Sequence, residues 1–454
     1  MAHKLVLVGA GSAQFGLGTL GDILTSKVFE GSEICLHDIN PHTMKEVQDQ
    51  AQAFVENHKL NFTITATTDR KAAFQKAEFI IISIEVGDRF KLWEEDWRIP
   101  QQYGINQVYG ENGGPGGVFH ALRIIPPILE ICGDAQAICP SAHLFCYSNP
   151  MTAITTTVHR AYPGISFTGM CHEIASLERY LPTMMGIPFD QMNLTAAGLN
   201  HFSCLLKAQD AQGKDIYPEI MEKAYGFFDK EIGYSDLWDY YKKTGELTWA
   251  EGSTERAKLG IEKSRYPWAD RQVFKEIMDR YNLLPITVDS HFGEYLSWAW
   301  DVADHRGIVD FFDLYKVMLS RDTKHEISLE LHERVVPVME GIITNSGYIE
   351  SAVNLPNRGY IQDLPEWIAV EVPGKVTNKG IEGLTMDPLP KGFLALLRNY
   401  VGVYDLTAEA IIHKRRDYVI QALLANPVVH QVKHLDALVD RMISQQSKWL
   451  GYLK

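Results

Sequence analysis

A short apolar run that ends in glycine restricts the fold of this chain more than any other feature. Residues 4–11, KLVLVGAG, are apolar on both faces after Lys4, which is typical of a parallel strand buried between two helical layers. Similar runs recur, separated by segments with helical periodicity such as 42–58, and they lie at 33–40, 62–69, 78–87 and 143–151. This alternation predicts an α/β fold with a doubly wound, Rossmann-like parallel sheet.

The pattern changes in the second half of the chain. Residues 165–172 and 192–202 have the character of two more strands, so we predict a first domain over residues 1–200. Residues 201–454 are rich in helical patterns and contain a few strand-like pieces, which predicts a helix-rich α+β domain. No Gly/Ser/Pro linker separates the two regions, and we therefore expect a large interface between them.

The loop after the first strand indicates a dinucleotide site. Gly9 and Gly11 occupy two positions of the glycine fingerprint, whereas Gln14 stands at the third and Gly16 lies just beyond. Asp38 ends the second strand, where its carboxylate would accept hydrogen bonds from ribose hydroxyls and disfavour a 2′-phosphate. The pattern favours NAD over NADP, although a glycine-rich turn without a nucleotide is the alternative.

Composition narrows the function classes. The net charge of −14 and the lack of a Lys/Arg run argue against a nucleic-acid surface, which needs a basic patch. No apolar stretch reaches 18 residues, so we expect no membrane span and a cytoplasmic protein. Six cysteines in 454 residues are too few for a disulfide framework, and we expect them to be reduced.

Several candidate ligand-binding residues follow strand-like runs. Ligands of a doubly wound sheet bind beyond the carboxyl ends of its strands, where Asn149 could present its amide to a hydroxylated ligand. The glycine-rich segment 109–123 is either a ligand-facing loop or a mobile surface loop. Cys171 and His201 could converge on one cation that also binds substrate oxygens, although a buried Cys and a core His are the more common outcomes.

Taken together, these motifs resemble glycoside hydrolase family 4. The matching pieces are GAGS, the strand-ending DI, GPGG with ALR, NPM, CHE, NHF, NLPNRG and VEVP, in family order along nearly the whole chain. The resemblance implies cleavage of α-glycosides through NAD-mediated oxidation at sugar C3, deprotonation at C2 and elimination, assisted by a divalent metal, usually Mn²⁺.

The resemblance also implies roles for individual residues. It makes Cys171 and His201 the metal ligands, and it makes His172 the proton donor to the leaving group. Asn149 would contact the sugar hydroxyls, and the NAD-binding residues would be Gly9, Gly11, Ser12 and Asp38. A homodimer or homotetramer is expected.

The base that removes the C2 proton is implied to lie in PITVDSHFGEYLSW (285–298). Asp289 is the first candidate and Tyr295 the second, with His291 as a substrate contact and Glu294 beside the pocket. The alternative for Asp289 is a helix N-cap.

The residues after Cys171 bear on the sugar. Cys-His-Glu followed by an apolar residue is similar to α-galacturonidases, whereas α-galactosidases usually carry Ser at the position of Glu173, and α-glucosidases and α-glucuronidases carry Gly. We therefore expect an α-galacturonidase, with α-galactosidase or α-glucuronidase as alternatives, and Arg89 is a candidate partner for a substrate carboxylate. A hydroxy-acid dehydrogenase or a non-catalytic NAD-binding protein is less consistent with the combination of motifs.

Overall fold

The structure is a computed structural model that describes residues 2–11, 13–171, 173–247, 260, 264–320, 327–329 and 333–453. For residues 13–15 it describes the backbone only. Within these ranges, no helix has the length and apolar character that crossing a membrane requires.

A single mixed sheet runs through the described part of the chain. Its strands are β1 (Lys4–Val8), β2 (Glu33–His37), β3 (Thr63–Thr67), β4 (Phe79–Ile82), β5 (His143–Cys146), β6 (Phe167–Gly169), β7 (Met192–Leu199), β8 (Phe202–Asp210), β9 (Leu284–Pro285), β10 (Ile349–Pro356), β11 (Ala369–Thr377) and β12 (Gly380–Gly383). Their order is β3-β2-β1-β4-β5-β6-β10-β11-β7-β8-β9, and β12 pairs with β11.

The first six strands confirm the predicted Rossmann-like sheet. They are parallel and follow the order β3-β2-β1-β4-β5-β6, which is the strand order of dinucleotide-binding domains. Alternate residues of β1 enter different apolar clusters: Val6 and Val8 pack on one face of the sheet, and Leu5 and Leu7 pack on the other. This two-sided burial explains the continuous apolar run and stabilises the fold by about 1.5–3 kcal/mol for each such side chain.

Beyond β6 the sheet becomes antiparallel because two late strands are inserted. β10 pairs with β6, and β11 pairs with β7. The run 192–202 is therefore not one more parallel strand: β7 and β8 form a hairpin, and the pair Leu199–Phe202 leaves Asn200 and His201 as its two-residue turn. The sheet continues across residue 200, and the proposed domain boundary there stays a prediction.

Helices cover both faces of the sheet and make up most of the C-terminal region. The α-helices span Ala13–Thr25, Pro41–Asn57, Arg70–Phe74, Arg89–Gln102, Gly114–Ile138, Met151–Ala161, Leu181–Met185, Tyr217–Phe228, Tyr234–Thr244, Gln272–Tyr281, Asp289–Gly293, Ala299–Val302, His305–Ser320, Val335–Thr344, Lys391–Arg398, Val401–His413, Arg416–Ala425, Leu435–Gln445 and Ser447–Leu450. Short 3-10 helices span Glu173–Arg179 and Phe189–Gln191.

The segment 109–123 is neither wholly a loop nor mobile surface. The helix Gly114–Ile138 begins inside it, and residues 109–122 are buried. Its glycines allow close packing within the protein itself, since a Cβ on Gly116 would lie 2.5 Å from the Cα of Gly110. The mobile-loop interpretation is therefore wrong.

Candidate active site

The loop between β1 and the first helix has the form of a dinucleotide cradle. Gly9 has φ of +87° and donates its N–H to the carbonyl of His37 at 3.0 Å. A Cβ at Gly9 would lie 2.0 Å from the carbonyl oxygen of Ser83, the residue that follows the neighbouring strand β4. Only glycine fits this turn, which agrees with the first position of the fingerprint. Ser12 lies outside the described residues.

Gly16 takes over the function of the missing third glycine. A Cβ there would lie 2.4 Å from the carbonyl oxygen of Ala10. The first helix therefore packs directly on the loop, which is the purpose of the third glycine in the fingerprint. The departure at Gln14 shifts this contact by two residues along the helix and leaves the cradle intact.

Asp38 lies at the cradle as predicted from its position after β2. One carboxylate oxygen accepts the N–H of Gly11 at 2.8 Å, and the other accepts the N–H of Asn40 at 2.8 Å. The side chain is half-buried, so its oxygens remain within reach of a ligand. These residues fit a dinucleotide whose ribose hydroxyls would bind Asp38.

The structure brings Cys171 and His201 together from opposite ends of the antiparallel insertion. Cys171 follows β6 by two residues, and His201 lies in the turn of the β7–β8 hairpin with φ of +61°. The Cys171 Sγ lies 3.9 Å from the His201 Nε2. Metal bonds of about 2.3 Å to sulfur and 2.0–2.1 Å to nitrogen are long enough together for one ion to reach both atoms.

The other ring nitrogen of His201 faces a carboxylate. Its Nδ1 lies 2.8 Å from the Oε1 of Glu173, an arrangement that orients metal-binding histidines. Burial disfavours the charged imidazole, but Glu173 and Cys171 outweigh burial and hold the pKa of His201 well above its usual value. Burial raises the pKa of the Cys171 thiol despite the opposing effect of His201.

The pair by itself does not complete a metal site. Across the described ranges, no group of three or more His, Cys, Asp or Glu side chains is placed to hold an ion. An ion bound by Cys171 and His201 would therefore keep open positions, as a catalytic metal does. All six cysteines lie in described parts of the chain and are unpaired, whereas His172 lies outside the described residues.

His291 borders the metal-ligand pair. Its ring centroid lies 4.6 Å from that of His201 at an angle of 70°, and its Nδ1 lies 3.6 Å from the Oε2 of Glu111. Burial and the neighbouring His201 lower the pKa of His291 to about 4. The ring is therefore neutral near pH 7, next to the position where we expect the sugar.

Arg89 does not offer a free fork to a substrate carboxylate. Its Nη2 lies 2.9 Å from the Oε1 of Glu111, its Nη1 donates to the hydroxyl of Tyr315 at 3.0 Å, and its Nε lies 3.3 Å from the Oε2 of Glu85. These protein partners occupy the guanidinium, so the prediction that Arg89 binds a uronate is disfavoured.

Asp289, the first candidate for the base, is engaged in a helix cap. Its carboxylate accepts the backbone N–H groups of Val273 at 2.5 Å and Phe274 at 2.7 Å, and the side chain is fully buried. It thus caps the helix Gln272–Tyr281 from outside, rather than its own helix as the N-cap alternative assumed. These two bonds and the full burial hold the carboxylate against that helix, which disfavours Asp289 as the base.

Tyr295, the second candidate for the base, also has partners within the protein. The hydroxyl of Tyr295 donates to the carbonyl of Asn200 at 3.1 Å, and its ring stacks on Phe202 at 4.5 Å. Burial raises the pKa of Tyr295 well above its usual value. The phenol therefore stays protonated and acts as a donor, which disfavours Tyr295 as the base.

Glu294 closes the loop that precedes the helix Gly114–Ile138. Its carboxylate accepts the N–H groups of Glu111, Asn112 and Gly113 at 2.6, 2.8 and 2.7 Å. Glu294 therefore holds the segment that carries Glu111 beside His291, and its position flanking the pocket stays a prediction.

Asn149 carries an unpartnered polar atom at the end of β5. Its Oδ1 is buried and has no hydrogen-bond partner among the described residues. Buried amide oxygens are almost always hydrogen-bonded, so this atom suits a ligand hydroxyl. The geometry is consistent with the predicted contact of Asn149 with a sugar.

Sequence reasoning missed Glu111, Asn200 and Glu371. Asn200 and Glu371 are buried near the thiol–imidazole pair, and Glu111 links His291 to Arg89. Each lies in a motif of the family resemblance or shortly before one. A sequence motif does not show which other side chains its residues contact. Burial and the neighbouring Glu173 raise the pKa of Glu371 to about 7.

The sequence profile of the Family 4 glycosyl hydrolase matches residues 4–187, and that of the Family 4 glycosyl hydrolase C-terminal domain matches residues 196–429. The chain belongs to family 4 of the glycosyl hydrolases, which confirms the family resemblance. It is therefore an enzyme that acts on glycosidic bonds.

Relatives and a solved structure are similar to this chain over nearly its full length. The chain is 58% identical to an alpha-glucosidase from Erwinia rhapontici over 455 residues, with 100% of both chains covered. It is 27% identical to an alpha-galactosidase from Bacillus subtilis, covering 99% of this chain and 100% of the relative. A crystal structure of a 6-phospho-alpha-glucosidase from gut microorganisms in complex with NAD and Mn²⁺ shares the fold, with a TM-score of 0.77 at 18% identity and 100% coverage of both chains.

Proposed function

We propose that the protein is an NAD- and divalent-metal-dependent α-glucosidase that acts on uncharged α-glucosides. The observation that carries the proposal is the 3.9 Å approach of the Cys171 thiol to the His201 imidazole. This pair lies at the carboxyl edge of the sheet whose β1 and β2 form the dinucleotide cradle, where ligands of such folds bind. The 6-phospho-alpha-glucosidase that was crystallised in complex with NAD and Mn²⁺ has the same fold.

The choice of glucose over a uronic acid rests on two observations. The first is the 58% identity to an alpha-glucosidase across the entire chain. The second is the charge around the site, because ionised Glu173 and Glu111 flank His201 and His291 while Arg89 is already paired. An anionic sugar would meet these carboxylates, and Arg89 is already engaged by Glu111 and Glu85.

The α-galacturonidase prediction is accordingly not supported. It relied on Glu173 as a marker of the substrate, yet the structure places the Glu173 carboxylate against the ring of His201. Glu173 is thus a contact of His201 and not a guide to which sugar binds.

The residues of the chain have separate tasks in this proposal. When bound, NAD supplies a hydride acceptor and donor for a sugar carbon, and the divalent metal supplies Lewis acidity to sugar oxygens. Gly9 and Asp38 hold the dinucleotide, Cys171 and His201 hold the metal, and Asn149 binds a sugar hydroxyl. Glu173 orients His201 through its Nδ1.

His172 is the proposed proton donor to the departing alcohol. It follows Cys171 directly in the chain, and an imidazole exchanges protons near neutral pH with little tuning. His291 contributes a neutral ring to the wall of the pocket, where it can contact the sugar without adding charge.

A panel of p-nitrophenyl glycosides tests the proposal. With NAD, Mn²⁺ and a thiol reductant, we expect the α-glucoside to give a higher kcat/KM than the α-galactoside and the α-glucuronide, without accumulation of NADH. The Cys171→Ser variant should lose this activity, whereas Cys139→Ser, at a buried cysteine away from the pair, should keep it. Preference for the uronide would refute the substrate assignment, and stoichiometric NADH formation would indicate a dehydrogenase.

A further inference from the structure

We propose that Glu371 is a positioning residue that holds the metal-binding side chains Cys171 and His201 in place through two asparagines, an inference that rests on the proposed function. The two ligands come from strands that are not adjacent. β10 and β11 lie between β6, which leads to Cys171, and β7, which leads to His201. The relative position of Cys171 and His201 therefore depends on contacts made through β10 and β11.

Glu371 stands at the centre of this insertion. It is opposite Asn354 of β10 and opposite Gly198 of β7. Asn354 is in turn opposite Gly169, which precedes Cys171 by two residues. The residues Gly169, Asn354, Glu371 and Gly198 thus form one row across four strands, and a ligand-bearing segment begins at each end of the row.

One carboxylate oxygen of Glu371 joins both sides. Its Oε2 accepts the Nδ2 of Asn200 at 2.8 Å and the Nδ2 of Asn354 at 3.1 Å. Asn354 is fully buried, and Asn200 and Glu371 are nearly so. Hydrogen bonds to a carboxylate are shorter and stronger than those between neutral groups, so the bridge restrains the residue immediately before His201.

Asn200 is held from three directions. Its N–H donates to the hydroxyl of Thr152 at 3.1 Å, its carbonyl accepts the hydroxyl of Tyr295 at 3.1 Å, and its side chain binds Glu371. The next residue, His201, has φ of +61°, a conformation that a side chain larger than glycine adopts at a cost. The three anchors on Asn200 maintain that conformation and aim the imidazole at Cys171.

The contacts of Glu371 are poor for stability alone. Among the described residues, no Lys or Arg pairs with it, and its Oε1 has no hydrogen-bond partner. By contrast, the equally buried Glu350 on β10 pairs with Arg334 at 3.1 Å and accepts the hydroxyl of Tyr348 at 2.9 Å. A buried carboxylate with two neutral amide donors is weak support for a fold but can fix the geometry of a site.

Binding of Mn²⁺ by the purified full-length protein without substrate tests the inference. We expect Glu371→Ala to raise the Kd for Mn²⁺ about 10- to 100-fold, the range for residues that support metal ligands. Glu371→Gln keeps an acceptor oxygen and should keep most of the affinity. The matched control Glu350→Ala should lower the melting temperature and leave the Kd unchanged. If Glu371→Ala does not fold, Asn354→Ala breaks one arm of the bridge and should weaken binding in the same direction.

Two outcomes contradict the inference in different ways. An unchanged Kd in folded Glu371→Ala, with binding intact in the unmodified protein, overturns the positioning role and leaves the proposed function standing. Failure of the unmodified protein to bind Mn²⁺ or Co²⁺ refutes the metal site itself and the inference with it. Substitution with Co²⁺ adds a direct signature, because the cobalt–thiolate absorption band should weaken in Glu371→Ala and persist in Glu350→Ala.

Discussion

Replacing Glu294 by Gln tests whether a buried carboxylate or a buried carboxylic acid supports the pocket. In the native protein the side chain is fully buried, and three backbone N–H groups from residues 111–113 point at its two oxygens. Burial raises the pKa of Glu294 above its usual value, whereas the three donors favour the ionised form and oppose that shift. The geometry favours the ion, because a protonated oxygen would turn a hydrogen towards an N–H donor.

The magnitude follows from the contacts. Gln retains one acceptor oxygen, which can serve Asn112 and Gly113, but its NH₂ group then faces the N–H of Glu111. A buried N–H without an acceptor costs about 1–3 kcal/mol, and the two remaining bonds lose their charge assistance, roughly 1 kcal/mol each. Relief from burying a charge offsets part of this cost. We expect Glu294→Gln to lower the free energy of unfolding by about 2–4 kcal/mol, and Glu294→Ala to lower it further.

Urea unfolding at pH 7, followed by tryptophan fluorescence, measures the difference. Glu219→Gln, which removes one partner of a surface ion pair with Lys223, is the control and should leave the urea midpoint essentially unchanged. If Glu294→Gln is as stable as the unmodified protein, the side chain is protonated in the fold and the argument from the three donors fails.

Three further predictions test the cradle, the anchor and the pocket wall. Gly16→Ala should weaken NAD binding about tenfold, or about 1.4 kcal/mol, because its Cβ would press on the carbonyl of Ala10. The control is Gly18→Ala, whose added Cβ has nothing within 4 Å. This variant should bind NAD normally in a fluorescence titration. Tyr295→Phe should cost about 1 kcal/mol of stability through the lost bond to Asn200. It should weaken Mn²⁺ binding, because Asn200 loses one of its three anchors, but keep most of kcat at saturating Mn²⁺; a fall in that kcat of about 10² or more would restore Tyr295 as a base. Because the pKa of His291 is lowered to about 4, the unfolded chain binds a proton between pH 6.5 and 4 that the folded protein does not. This histidine therefore contributes stability that is present above pH 6.5 and lost as the pH falls towards 4, up to roughly 3 kcal/mol; His291→Asn should flatten the pH dependence of urea unfolding, and an unchanged slope would contradict the assignment.

The parallel half of the fold could be predicted because its signals are local. A strand buried on both faces carries a continuous apolar run, and the glycine turn after β1 follows from backbone sterics within a few residues. Even the departure at Gln14 could be interpreted, since Gly16 stands on the same helix. The convergence of Cys171 and His201 has no such local signal, because it would follow simply only if their strands were neighbours, whereas β10 and β11 lie between β6 and β7, and β7 runs antiparallel to β6.

The antiparallel insertion could not be predicted because it depends on distant partners. Asn354 pairs with Gly169 and Glu371 with Gly198, and no local pattern identifies such partners. The same limit explains Asp289, whose local context correctly indicated a helix start but not that its carboxylate caps the helix Gln272–Tyr281. The sequence suggested Arg89 as the partner of a substrate carboxylate and Tyr295 as a candidate base. It does not show that other groups of the protein already bind these two side chains.

The insertion of β10 and β11 between β6 and β7 also has a consequence for synthesis. Cys171 and His201 leave the ribosome early, but the strands that set their spacing extend to Thr377. A nascent chain shorter than this can form the parallel strands β1–β6. It lacks β11, which together with β10 lies between β6 and β7 and sets the relative position of Cys171 and His201. The capacity to capture an ion should therefore arise late in translation, after most of the polypeptide has emerged.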